Sequence, residues 1–583
     1  MPRSVARPAV FDKHLPQPDL PAKVCALLNT FATPFKNWLT QLIIHIFGAT
    51  LPAHFLVQVN NRCDFSDAVA MCESYYHTTG AGAKPTYTVE QLFRAEFVRA
   101  YYGACGDEEL ALLLQTNVVA RVFAGFSFFA PVPSDSTLQR FHVWLCENHP
   151  TLLFTTVLAF VEEADPEDPA TTLHTIDTFV MKSRAAPQEP AVLLMRLCAA
   201  LITLWQAHVG AELAAHVPPD LDLEALKTSR AARSKAKAER QLQYTVRDAE
   251  RLIAALTPLL ERVPEGLREQ VQTRITQIEK VIADETMKTE EGTVVKRTKK
   301  GTYRSISAHD MDATFRKHGD EATAELGYNA VIITTQTRIR GVEVETGAVP
   351  DGVLMKSVLL FMKLHGLKCP AKLGGDMAFS TGAGRYLADS LTDGVTMLIG
   401  KNPPGGGKDP NRYGPDDFRV QRDAEGTPTV CICPQGRESK MHYTSGTGEG
   451  HRFRFTAEAC AECPLWNDCR GPNGKEDAHR TVFISDYHHY LREAKRFNAT
   501  AEGQALIKER WFSEQKIAFL VCYNGCRDVR RAGLAAARFQ LLQGGAVRNL
   551  QMLFARETRR AREARRAELE TQLQELLQQQ VAA

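Results

Sequence analysis

Apolar residues recur every three to four positions in Thr88–Gly103 (TVEQLFRAEFVRAYYG), the period of a helix with one buried face. Gly106–Gln115 (GDEELALLLQ) repeats the pattern with acids in its first turn, where the helix dipole favours them. Pro133–Leu145 (PSDSTLQRFHVWL) offers Ser or Asp as the N-cap of a third helix. Three short helices between 86 and 145 fit a helix-turn-helix or a plain bundle. The same period returns over 230–285, on a more charged background, at Leu242, Val246, Ala249, Ile253, Leu256 and Leu260. After VPEG it resumes with Leu267, Val271, Ile275, Ile278 and Ile282. This predicts an antiparallel helical hairpin turning at Pro264–Gly266, with Pro258 kinking the first arm. Such a hairpin is either a protruding or dimerising arm or a packed helical insertion.

Between and after these helices the pattern changes to strands. LHTIDTFVM, within Thr171–Ser183, is rich in β-formers but holds Asp177, and a lone carboxylate in a strand is costly to bury. Leu326–Thr335 and Arg338–Gly347 read as strands, and VLMKSVLLFMKLHG as a helix. Leu367–Ser380 reads as a short strand ending at Gly374, Gly375 and Asp376, followed by the helix GAGRYLADSL and the strand GVTMLIG. This alternation predicts an α/β core, with Asp376 just past a strand end, where α/β folds place reactive groups. Lys401–Asp417 is a breaker-rich loop, residues 486–556 are helical, and the tail RETRRAREARRAELETQLQELLQQQ is a charged helix.

Composition adds limits. A chain of 583 residues holds about three to five domains as a prior. Its 44% apolar and 24% charged content is ordinary for a globular protein that needs no disulfides. A net charge of +2 means that any nucleic-acid surface is local. The first twenty residues lack the apolar core of a secretory signal. The most apolar stretch, Pro190–Gly210, is interrupted by Arg196 and carries Gln206 and His208, so it is expected to be a buried helix, not a membrane span. The expected location is cytoplasmic, with reduced thiols.

Nine of the 14 cysteines are scattered (25, 63, 72, 105, 146, 198, 369, 522, 526), and five fall between 431 and 469. Cys460, Cys463 and Cys469 stand in C-x2-C-x5-C spacing, and Cys433, in the tight CPQG turn, is 27 positions before Cys460. Four thiolates in two loops suit a closed, structural tetrahedral Zn2+ site; a redox pair and a metal-free cluster are the alternatives. Cys431 is the alternative to Cys433 as a ligand. Arg510 precedes Glu514 by four residues, so the two share a helix face and can be a simple surface pair. The order of acids on an α/β background, Asp177, Asp376 and Glu514, suits a pocket for two Mg2+ ions acting on a phosphodiester.

From Thr86 to Phe554 the chain resembles bacterial insertion-sequence transposases with an RNase H-like DDE catalytic domain, a helical N-terminal domain and a cysteine-rich insert. The resemblance rests on LFRAEFVRAYYGACGDEELALLLQ…PSDSTLQRF, TIDTFVMKSRAA, DMDATFRKH…LGYNAVI, KLGGDMAFST, CPQG…C-x2-C-P-L-x3-C, Arg510-x3-Glu514 and VRRAGLAAARFQLLQGGAVRNLQML. It departs at Met377-Ala378, where relatives usually have Gly-Tyr or a similar pair, at Ile507, where many have Tyr, and at Val521, where they often have Lys.

The resemblance implies a fold of the α/β class: an RNase H-like mixed-sheet core with an all-α N-terminal domain, a helical-hairpin insertion and a small zinc-binding insertion. Expected segments are a leading region 1–85, a helical DNA-binding-type domain 86–165, core parts 166–184, 301–400 and 486–556, the helical insertion 185–300, the loop and zinc insertion 401–485, and a tail helix 557–583. Asp177, Asp376 and Glu514 would hold two Mg2+ or Mn2+ ions, with Arg510 against phosphate or orienting Glu514. Cys433, Cys460, Cys463 and Cys469 would hold Zn2+. Lys296, Arg297, Lys299, Lys300, Arg527, Arg530 and Arg531 would contact double-stranded DNA, the terminal inverted repeats and the target. The implied activity is strand cleavage and strand transfer by a homodimer associated with the nucleoid. The rivals are a non-catalytic DNA-binding protein domesticated from a transposase and a metal nuclease of the same fold.

Overall fold

The structure is a computed structural model. It describes residues 49–582 apart from 77–84, 129, 228–233, 318–322, 404–411, 425–427, 441, 445–448 and 471–478, with residues 35, 38, 42 and 46 before them. Most of the leading region 1–85, and residues 404–411 of the loop expected over 401–417, therefore lie outside the described residues. The contacts divide the chain into two units.

One unit comprises Met1–Val69, Glu73–Val98 and Asp107–Phe141. Its helices are α1 (Phe55–Arg62), α2 (Ser66–Met71), most of α3 (Val89–Tyr101), α4 (Asp107–Thr116) and α5 (Val118–Phe123). A capping box starts α3: Thr88 Oγ1 accepts from Gln91 N at 3.2 Å, and Gln91 Oε1 accepts from Thr88 N at 3.0 Å. Phe65, Phe93, Phe97 and Phe123 pack together with ring centroids 5.4–5.8 Å apart. Ser134 Oγ accepts from Thr137 N at 3.4 Å and opens α6 (Asp135–Asn148).

The second unit is mixed α/β. After α7 (Leu152–Ala164) comes β1 (Leu173–Lys182). A helical insertion follows: α8 (Pro190–His216), α9 (Leu223–Lys227), α10 (Lys235–Leu256) and α11 (Glu265–Glu285), closed by the hairpin β2 (Thr286–Lys288) and β3 (Val294–Lys296). The chain then returns to the sheet with β4 (Thr314–Arg316), β5 (Glu325–Thr334) and β6 (Ile339–Thr346). Next come α12 (Asp351–Leu364), β7 (Lys372–Gly374), α13 (Gly382–Leu391) and β8 (Met397–Ile399). The sheet runs β5–β1–β7–β8, with β4 and β6 both on the outer edge of β5. β1, β7 and β8 are parallel, and β5 is antiparallel to β1. The β5 run LGYNAVIIT is buried on both faces, as a central strand with helices on either side must be. Gly327 is required where β5 meets β1, because a Cβ there would stand 2.2 Å from Met181 O.

The insertion has its own apolar core. Leu193, Leu194, Leu197, Leu201 and Trp205 of α8 meet the periodic residues of α10 and α11. The stretch Pro190–His208 is long and apolar enough to cross a membrane, yet its apolar side is covered by these neighbours. α10 and α11 pack chiefly on α8, so the packed insertion describes them better than a free arm. Pro258 does not kink a continuous helix. α10 stops at Leu256 and a 3-10 turn, Thr257–Arg262, takes Pro258 at its start, where no helical N–H is lost.

Downstream, β9 (Arg419–Arg422), β10 (Pro428–Ile432) and β11 (Glu438–Ser439) form one small sheet, and β12 (His442–Thr444), β13 (Gly450–Phe455) and β14 (Arg480–Ser485) another. Two short helices, α14 (Ala457–Cys460) and α15 (Trp466–Arg470), lie between β13 and β14. The chain ends with α16 (His488–Asn498), α17 (Ala501–Lys508), α18 (Trp511–Cys522) and the long α19 (Leu534–Ala582). α18 packs on β1 and β5, and α19 on β6 and α7.

A candidate active site of paired carboxylates

β1 and β7 pair in parallel with the register Leu173↔Lys372, His174↔Leu373 and Thr175↔Gly374. Continued two positions past the end of β7, this register sets Asp376 beside Asp177. Asp177 Oδ1 accepts from Thr178 N at 2.9 Å, and its Oδ2 accepts from the buried Ser513 hydroxyl at 3.2 Å. Asp376 stands in a turn where its Oδ1 accepts from Ala378 N at 2.9 Å and Phe379 N at 3.2 Å. Both carboxylates are thus held by backbone amides, Asp177 in the middle of β1 and Asp376 just past the end of β7.

Burial pushes the Asp177 carboxyl above its usual range, against the Thr178 amide, the Arg510 guanidinium and the Ser513 hydroxyl, which lower it; the charge of Asp376 raises it further. Two acids close together and partly desolvated are a poor arrangement without a cation. That strain fits the chemistry of a divalent-ion site.

α18 brings the remaining candidates. Arg510 precedes its first turn, and Arg510 Nη2 lies 3.5 Å from Glu514 Oε1. The Glu514 side chain is 65% exposed, at the rim, while Ser513 beside it reaches Asp177. Arg510 acts on both, through its charge on Asp177 and its ion pair with Glu514. Among the described residues no group of three or more His, Cys, Asp or Glu is close enough to hold a metal ion. Glu514 therefore shares Arg510 with Asp177 but does not close on the two aspartates.

Ser513 had no signal of its own in the sequence, because a serine between Phe512 and Glu514 reads as a filler position. Its Oγ also donates to Arg510 O at 2.9 Å, which fixes the first turn of α18. Ser513→Ala removes a donor that favours the ionised Asp177. The acidic limb of the activity–pH profile is expected to move to higher pH, at about 1 kcal/mol of lost stability. An unshifted limb counts against the contact.

Lys516, two residues after Glu514, is also buried. Its Nζ donates to Gln336 O at 3.1 Å and Phe512 O at 3.3 Å, tying α18 to the β5–β6 turn. Burial, with Arg548 next, pushes its pKa down to about 7. Val521 is half-buried on the same helix.

The four cysteines line one pocket with Tyr413, Phe418, Phe455 and Arg480, but, like the acids, they do not close to the distances of a metal site. Cys433 opens a tight turn in which its carbonyl accepts from Gly436 N at 2.8 Å, with Gly436 at φ +82°. Cys463 N donates to Cys460 O at 3.3 Å across Glu462, which takes the left-handed φ of 55°. Arg437 donates to Ala459 O and so joins the two loops. Burial pushes the Cys469 thiol up, with Arg480 opposing and Cys460 and Cys463 adding to the rise. Cys431 is fully buried within β10, its thiol pushed up to about 12 by burial. Cys433 is the better placed of the two.

The basic candidates differ in what holds them. Lys300 lies 2.6 Å and Arg304 2.7 Å from the carboxylate of Glu285, which is buried at the end of α11. Arg297 donates to Thr286 O at 2.8 Å, and Lys296 is 3.8 Å from Glu189. Lys299 is exposed. Arg527 and Arg530 are exposed and Arg531 half-buried, on a segment whose backbone joins the end of β1: Lys182 N donates to Arg527 O and Val529 N to Lys182 O, both at 2.8 Å.

Residues 47–143 match the family model described as Transposase domain (DUF772), and residues 432–554 match the one described as Transposase DDE domain. The second span covers the four pocket cysteines, Arg510 and Glu514, while Asp177 and Asp376 lie outside both spans. No curated protein and no solved structure matches the chain.

Proposed function

We propose a reaction course for what the two matches make this chain, an insertion-sequence transposase with a DDE domain that acts on DNA. In this reading it binds the terminal inverted repeats of its element, cuts a strand at each end, and joins the freed 3′-hydroxyl to target DNA. The observation that carries it is the parallel register that sets Asp376 beside Asp177 under α18. Adjacent strands lie about 4.8 Å apart, a spacing at which two carboxylates can share one ion. The strand order, with β5 antiparallel between β6 and β1 and with β7 and β8 parallel to β1, supports an RNase H-like core.

Asp177, Asp376 and Glu514 are the residues that would hold two Mg2+ or Mn2+ ions, which when bound activate water or a 3′-hydroxyl and neutralise the leaving oxygen. The chain's own part is positional. The Thr178, Ala378 and Phe379 amides and the Ser513 hydroxyl hold the aspartates. Arg510 stands ready to exchange its Glu514 partner for a phosphate oxygen, since an exposed ion pair is worth little in water. Arg527, Arg530 and Lys299 are the exposed cations best able to meet the DNA backbone, while Lys300 serves Glu285.

The test is incubation of the intact protein with duplex DNA carrying the element end and either Mg2+ or Mn2+. Nicking followed by joining is expected. Nicking without joining indicates a nuclease, and binding without nicking indicates a domesticated DNA-binding protein.

A structural Zn2+ on Cys433, Cys460, Cys463 and Cys469 is supported by their shared pocket and the two tight turns. Protein purified without chelator is expected to carry about one zinc per chain. The content should fall in Cys460→Ser with Cys463→Ser, and metal near zero in the wild type refutes the site.

A further inference from the structure

We propose that the open face of the β12–β13–β14 sheet binds an unpaired DNA strand, with bases stacked on Tyr443 and Phe483 and phosphates held by Arg452 and Arg454. The proposal rests on the reading of the chain as a protein that acts on DNA, but not on its metal chemistry.

The three strands have two unlike faces. Phe453 and Phe455 of β13 and Val482 and Ile484 of β14 turn one way and are buried against the cysteine pocket. The residues between them turn to the other face. There the register sets Tyr443 beside Arg452 and Arg452 beside Phe483, so one row across the sheet reads aromatic, cation, aromatic. The next outward position on β13 is a second cation, Arg454, beside Thr481. Tyr443 is 52% and Phe483 40% exposed, and both arginines are exposed.

Phe483 does not stand up from this face. A Cβ on Gly450 would lie 2.7 Å from its Cζ, so the ring extends along the sheet over that glycine, which is itself buried. A ring held down in this way offers a flat apolar surface to another flat group. Every nucleic-acid base has such a surface, whatever the sequence.

Charge complementarity selects the occupant. Among the described residues neither Arg452 nor Arg454 meets a carboxylate, and the outward positions of the three strands carry no acid. Asp486, just past β14, lies 3.4 Å from His451. An apolar protein partner would bury two guanidinium groups without counter-charge, which is costly. A duplex would bring phosphates but keep its base faces inside its own stack. An unpaired strand brings both a polyanionic backbone and free base faces. The sheet lies within residues 432–554, the span matched by the transposase DDE domain. Cutting a strand at an element end, the reaction proposed above, frees DNA of this kind.

The test uses the full chain with neither added divalent metal nor chelator, so that nicking plays no part. The probe is a fluorescein-labelled oligothymidylate of roughly 16 nucleotides, which cannot pair with itself. The wild type is expected to bind it. Tyr443→Ala with Phe483→Ala should bind at least about tenfold more weakly, while affinity for duplex DNA changes less than about threefold. Phe483→Leu, apolar but without a ring, should also lose affinity. Phe483→Trp should keep it, with its added indole fluorescence quenched by the oligonucleotide. Arg452→Ala with Arg454→Ala should lower the slope of log affinity against log salt by about 1.4. A wild type that binds only duplex, a Phe483→Leu variant that binds as wild type, or an unquenched Phe483→Trp variant overturns the proposal. Equal losses on duplex and oligothymidylate also overturn it. So does unchanged oligothymidylate binding with a changed molecular mass, which would make the face a contact between chains. Phe483-dependent binding in a protein that does not nick would sink the reaction course above and leave this face standing.

Discussion

Asp376→Asn is expected to lower metal-dependent strand nicking by at least about a thousandfold, some 4 kcal/mol of transition-state stabilisation, while leaving the melting temperature of the metal-free protein no lower than wild type. The two halves of this result have different causes. Asn keeps the Oδ1 acceptor that Ala378 N and Phe379 N use, so the turn after β7 is preserved. It removes the charge that sits beside Asp177 in the continued β1–β7 register and raises its pKa. Loss of like-charge repulsion favours the folded state, and loss of the carboxylate removes an ion ligand. Millimolar Mg2+ or Mn2+ should raise the melting temperature of the wild type by mass action and leave Asp376→Asn unmoved. Nicking within tenfold of wild type in this variant would remove Asp376 from the reaction. A lowered melting temperature would instead make it a structural cap.

The second large effect is a slope. Lys516 has a folded-state pKa of about 7, well below that of an unfolded lysine, because it is buried behind α18 with Arg548 and Arg556 nearby and only Glu167 opposing. The folded chain then binds fewer protons at this site than the unfolded chain between about pH 7 and pH 10.4. Stability from this group therefore rises with pH across that window and is lost as pH falls through it, by at most about 1.4 kcal/mol per unit. Lys516→Met should flatten the slope. It should also cost a pH-independent 1 to 3 kcal/mol, roughly, because Gln336 O and Phe512 O lose their donor. Denaturant unfolding of both proteins at several pH values measures this. Parallel stability–pH curves for the two would show that Lys516 stays charged in the fold.

What was legible in the sequence follows the strength of local pattern. The apolar periods of α3, α10 and α11 and the continuous β-former runs of β5 and β6 are long enough to override local noise, so the α/β class could be read directly. Asp177 stood out because a carboxylate inside a strand is anomalous, and Asp376 because it follows a strand end. The two small sheets after residue 418 are not legible in the sequence, because their strands are only two to six residues long and the alternation in GHRFRF is too short to stand out from chance. Ser513 and Lys516 could not be found from spacing, since their roles exist only once α18 lies on β1 and β5. Within the basic run Lys296–Arg304, two cations already have a partner in the fold. Charge along a sequence does not reveal a buried acid 15 positions upstream, Glu285, that takes up Lys300.

That acid is part of a clasp at the foot of the helical insertion. Gln188 N donates to Ile306 O at 3.0 Å, Ala308 N donates to Gln188 Oε1 at 3.2 Å, and Ser183 donates to Asp310. Asp310 in turn accepts from Tyr328 of β5, and Asp312 Oδ2 accepts from Leu534 N at the start of α19. The two ends of the insertion thus leave and rejoin the sheet at nearly one point. A segment tied off in this way behaves as an exchangeable cassette: closing the same gap with a short linker costs little loop entropy. The mixed sheet can in this sense lose, enlarge or replace 189–304 without resetting the β1–β7 register.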